Sequence, residues 1–146
     1  MDLKKKIMEL EFGDFSLKID VLEENLLEGT PPPYNHSLKC QVDITSHSFS
    51  AKFRWDALMD DFKRFRDELK LMDERLGKTG VARLRGLEPG VEIQFKMNEL
   101  GNIDGNFIFS DFSESGAEAT KLIGSFHCDQ TYLSGIISEV KKICPN

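Results

Sequence analysis

Apolar and polar residues alternate with a period of two along most of the chain, which is the mark of strands with one buried and one wet face. Over 7–12, Met8, Leu10 and Phe12 alternate with Glu9 and Glu11; over 15–22, Phe15, Leu17, Ile19 and Val21 alternate with Ser16, Lys18 and Asp20. Gly13-Asp14 between the two runs predicts a hairpin. A second hairpin is predicted from Leu38, Cys40, Val42 and Ile44 over 38–45 and Phe49, Ala51 and Phe53 over 49–54, joined at Ser46-His47-Ser48. Further on, Val81, Arg83 and Arg85 share one side of a short strand, and Glu88-Pro89-Gly90 marks a turn. Val91, Ile93, Phe95 and Met97 then alternate strictly, as do Ile103, Gly105, Phe107 and Phe109 after a turn around Gly101. The last strand, 119–128, sets Leu122, Phe126 and Cys128 on one face.

Two segments break this period. Leu58, Phe62, Phe65, Leu69, Met72 and Leu76 recur at alternating steps of four and three, a single helical stripe. Asp56 is the expected N-cap, Gly77 the expected C′ residue, and Arg64 the expected partner of Asp60 and Glu68. Near the end, Leu133, Ile136, Ile137, Val140 and Ile143 form a second stripe. Asp129 is placed to cap it, and Cys128 and Leu133 have the spacing of a hydrophobic staple. The order β-β-β-β-α-β-β-β-β-α predicts an α+β fold: a mainly antiparallel sheet of about seven or eight strands built from hairpins, with two amphipathic helices packed on it. A single domain, 1–146, is expected, with no internal repeat or linker. The triple proline Pro31-Pro32-Pro33 is expected to be extended and solvent-facing.

Composition narrows the function classes. Twenty-five acidic against 19 basic residues leave a net charge of −6, which argues against nucleic acid as a ligand and favours encounter with a basic partner. Eleven phenylalanines against two tyrosines and one tryptophan predict an aromatic core with few polar atoms to satisfy. The three cysteines Cys40, Cys128 and Cys144 form no CxxC pair and suit a reducing compartment. No signal-peptide core and no run long enough to span a membrane is present, so a cytoplasmic location is expected. Neither a metal nor a cofactor is expected: His127-Cys128-Asp129 alternates across a strand, and phosphate-binding glycine loops are missing. An enzyme would need a cryptic pair such as Cys40 with His47 or His127, or carboxylates such as Glu23 with Glu24. A ligand-binding accessory protein would need an apolar cavity in the sheet face. Arg83 and Arg85 suit protection of an edge strand, or the grip of an acidic partner.

The block Phe126-His127-Cys128-Asp129-Gln130-Thr131-Tyr132-Leu133 has the form F-x-x-D-Q-[ST]-x-L between a strand and a final helix. In this it resembles the WapI-like immunity family of small bacterial proteins. The layout is similar too, including an F-x-x-F-x-x-x-L helical core at Phe62, Phe65 and Leu69. The resemblance implies a non-catalytic protein that neutralises a partner toxin by binding it. An acidic surface would suit a basic toxin of nuclease type. Asp60, Asp61, Asp111, Glu114 and Glu118 are the partner-binding candidates, chosen for expected exposure and clustering.

Overall fold

Four strands and a helix follow one another twice along the chain. The computed structural model describes residues 5–75, 78–87, 90–112 and 119–145. In the first unit, β1 (Ile7–Phe12), β2 (Phe15–Leu26), β3 (His36–Ser46) and β4 (Phe49–Leu58) pair antiparallel in sequence order, and α1 (Met59–Glu74) follows. In the second, β5 (Gly80–Arg85), β6 (Val91–Met97), β7 (Asn102–Asp111) and β8 (Thr120–Asp129) pair in the same way. One turn of 3-10 helix, Gln130–Tyr132, then leads into α2 (Leu133–Lys141). The α+β class, the hairpins and the eight antiparallel strands are as the alternation predicts. The strands form two sheets of four, because α1 separates β4 from β5 and lies along β5.

Local departures have local causes. Asp56 stays in β4, exposed and opposite Lys39, because ladder pairing continues to Leu58. The helix starts at Met59, and the Asp61 carboxylate reaches back to accept the Leu58 N–H at 2.9 Å. Arg64 pairs with Asp60 at 3.2 Å and Asp61 at 2.9 Å, while Glu68 turns to β5 instead. The predicted positions Leu76, Gly77, Glu88 and Pro89 lie outside the described residues. The triple proline is folded into a turn rather than extended, with the Tyr34 N–H donating to the Pro31 carbonyl at 3.1 Å. A bulge between Val21 and Glu23 interrupts the β2–β3 ladder and leaves Leu22 exposed.

The sheets meet through phenylalanine. Phe126 of β8 lies 4.5 Å from Phe15, 4.9 Å from Phe12 and 5.2 Å from Phe95, centroid to centroid. Each buried ring contributes about 2–3 kcal/mol of apolar burial, and favourable ring pairs add about 0.5–1.5 kcal/mol. Gly105 faces Phe126 in register, and a Cβ there would stand 2.1 Å from the ring. From α1, Phe62 packs on Trp55 and Phe65 on Phe95. Arg66, only 8% exposed, donates to the Cys144 carbonyl at 3.1 Å and ties α1 to the chain beyond α2.

The two units are exchanged at their helices. α1 runs along β5, the first strand of the second unit, and α2 runs along β1, the first strand of the first. Both helices offer a glutamate to an edge-strand amide. Glu68 accepts the Arg83 N–H at 3.0 Å, and Glu139 accepts the Glu9 N–H at 2.8 Å. Phe62, Phe65, Leu69 and Met72 stand where Leu133, Ile136, Val140 and Ile143 stand in the other unit, and all eight are buried. The repeat is one of pattern and position, and almost none of it is residue identity, which is why it is invisible in the sequence.

Candidate functional site

Each helix–strand seam leaves a groove on the surface. The β1–α2 groove, about 490 Å³, is walled by Glu9, Glu11 and Phe12 on one side and Tyr132, Gly135 and Glu139 on the other. Leu10, Phe12 and Ile136 lie buried at its base. Glu139 is engaged twice, by the Glu9 N–H and by Lys142 at 2.6 Å. The carboxylates of Glu9 and Glu11 form no ion pair among the described residues. Tyr132, 46% exposed, meets Phe12 edge-on at 5.5 Å.

Strand geometry adds a further property. The Glu9 N–H points away from β2, toward α2. Residues two apart in a strand point the same way, so the N–H and C=O of Glu11 also face the groove. β1 is the edge of its sheet, and no hydrogen bond among the described residues engages Glu11 on this side.

The β5–α1 groove, about 510 Å³, has the opposite charge character. Arg83 and Arg85 stand where Glu9 and Glu11 stand in the other unit, and Arg64 stands where Gly135 does. Arg83 donates to the Gln94 side chain at 2.7 Å, and Glu68 covers its backbone N–H. These contacts fit the edge-protection role expected of Arg83 and Arg85. A neighbouring hollow of about 340 Å³ shares Arg85 and Leu87 and opens over Glu92 and Ile108.

The acidic positions chosen from the sequence do not form one cluster. Asp60 is half-exposed on the first turn of α1, and Asp111 is exposed at the end of β7. No hydrogen bond or ion pair joins them among the described residues. Asp61 is 1% exposed, which corrects the expectation that placed it on a wet face. Burial pushes its carboxyl above the ordinary value, and the bonds from Leu58 and Arg64 offset part of that rise. Glu114 and Glu118 lie outside the described residues.

The Cys–His pairings are not assembled. Cys40 points into the core, where burial pushes its thiol up to about 12. His47 sits at an exposed turn beside Asp14, and His127 is exposed on β8 beside Asp104 at 2.7 Å. Among the described residues no group of three His, Cys, Asp or Glu is placed to share a metal ion. Among the described residues no helix is long and apolar enough to cross a membrane. Sequence reasoning took Glu9 and Glu11 as the wet face of a strand and passed over Gly135. The signal available was a glycine inside a predicted helix, where alanine would serve better.

The molecule is thus an α+β protein whose distinctive surfaces are two helix–strand grooves. The model of the immunity protein WapI-like family matches residues 8–146, and the chain belongs to that family. Membership points to an immunity-type function with a protein partner such as a toxin, and immunity proteins are generally non-catalytic. No curated protein matches the chain at a significant level. A solved structure of the plant transcriptional regulator PBF-2 is similar with a TM-score of 0.46 and 8% identity, over 99% of this chain and 83% of that one.

Proposed function

We propose that this chain is a cytoplasmic bacterial immunity protein that neutralises a cognate toxin by direct, non-catalytic binding, and that the toxin domain is basic, as nucleases are. The observation that carries the reading is the family match across 8–146. The net charge of −6 supports a basic partner, because a negative field raises the rate of encounter with a positive surface. The free state of Cys40, Cys128 and Cys144 suits a reducing compartment. We assign this encounter to Asp60 and Asp111, which reach the surface, and to Glu114 and Glu118, which lie outside the described residues; Asp61 is left out because it is buried.

Co-purification from the native host at low and moderate salt, followed by co-expression with the toxin domain that is retained, tests the reading. The expected result is rescue of growth and retention of the toxin domain, with slower association after charge reversal at Asp111 and Glu114. Failure both to rescue growth and to retain the toxin domain at either salt would sink the proposal.

A further inference from the structure

We propose that the β1–α2 groove docks an extended, basic segment of the partner protein, laid against the edge of β1 at Glu11. This rests on the partner-binding reading above and narrows it to one face.

Four independent features converge there. First, the rim charge is available. Glu9 and Glu11 form no ion pair among the described residues, although Lys18 stands opposite Glu9 on β2, and Lys142 is neutralised by Glu139. Second, the Glu11 N–H and C=O face the groove from an edge strand, the donor and acceptor that an added strand needs. Third, Leu10, Phe12 and Ile136 lie buried at its base, beside the half-exposed ring of Tyr132, a residue type enriched at binding hot spots.

The fourth feature is Gly135. It lies inside α2, where glycine is a poorer choice than alanine. A Cβ at this position would meet nothing within 4 Å, so packing within the chain gives glycine no role there. Its missing side chain does lower the groove wall and lets another backbone approach. The equivalent position in the other unit is Arg64, whose long side chain is held by Asp60 and Asp61. With Arg83 and Arg85 alongside, set against Asp67 and Glu68, that second groove lacks the acidic surplus that favours a basic segment. One of two matching grooves is therefore both open and acidic. The surface acids named above steer the encounter, and this groove holds the complex.

The test uses the full chain and a short synthetic peptide of alternating lysine and valine, with a glutamate–valine peptide as control. Backbone amide shifts are followed by NMR. The expected result is a set of shifts confined to Glu9–Phe12 and Tyr132–Glu139, from the lysine peptide alone. Gly135→Leu, and the pair Glu9→Lys with Glu11→Lys, should each weaken binding by about tenfold. Gly135→Leu should keep its thermal midpoint or raise it, which separates lost docking from lost folding. Absent shifts, shifts spread over the acidic surface, shifts centred on Arg83 and Arg85, or full binding by Gly135→Leu would each overturn the proposal. The two readings fail separately. Toxin retained by Gly135→Leu as by the parent leaves the immunity function standing and removes the groove. A peptide mapped to the groove without any toxin neutralised does the reverse.

Discussion

Replacing Phe126 and Gly105 singly and together tests the contact that joins the two sheets. Phe126 is buried among Phe12, Phe15, Phe95 and Phe107, and Gly105 lies opposite it on β7. Phe126→Ala removes a ring that the surrounding rings cannot fully replace, at a cost of about 3–5 kcal/mol. Gly105→Ala drives a methyl to 2.1 Å from that ring. The ring is held on several sides, so overpacking should outweigh the entropy gained, at a net cost of about 1–3 kcal/mol. Two independent defects would sum to about 4–8 kcal/mol, which rivals the whole stability of a domain this size. In the double variant the methyl enters space the ring has left. Its cost should not exceed that of Phe126→Ala alone, giving a coupling of about 1–3 kcal/mol. Urea unfolding followed by the fluorescence of buried Trp55 measures each corner of the cycle, with Phe126→Leu as a milder replacement if Phe126→Ala does not fold. Additivity within about 0.5 kcal/mol would refute the reasoning, because Phe126 would then not be what occupies the space above Gly105.

Three more outcomes follow from the geometry. Asp61→Ala should cost about 1–2 kcal/mol by leaving the Leu58 N–H without its acceptor, whereas Asp60→Ala should change stability by less than about 0.5 kcal/mol; equal thermal midpoints for the two variants would contradict this. Arg66→Met should cost about 2 kcal/mol and speed amide exchange near Cys144, and unchanged exchange there would show that Arg66 does not anchor the C-terminal turn. Burial raises the thiols of Cys40 and Cys128 from an ordinary value of 9.0 to about 12. The native state then keeps thiol protons that the unfolded chain releases, so the thiol contribution to stability is intact below the ordinary value and is lost as pH rises from there toward about 12. Urea midpoints at about pH 7.5 and about pH 9.5 should show this loss, and it should shrink in Cys128→Val.

The alternation of apolar and polar side chains was enough to place the strands and their buried faces, because a period of two names the inward side of a strand without reference to its neighbours. Local chemistry was legible in part at the end of β8. Asp129 is a cap, accepting the Thr131 N–H at 2.8 Å, but of the 3-10 turn Gln130–Tyr132; α2 itself follows Tyr132 with no side-chain cap. Where local preference competed with pairing, pairing won. Asp56 is a good cap in isolation, yet its place opposite Lys39 keeps it in the ladder, and Asp61 serves the helix start instead. Tertiary structure alone decided that the strands close as two sheets, because alternation does not say which strands are neighbours. It alone revealed the repeated unit, whose halves share positions but few residues. The groove has the same origin. Glu9 and Glu11 are ordinary wet-face residues until α2 returns across the length of the chain to β1, and that long-range contact sets Gly135 and Tyr132 beside them.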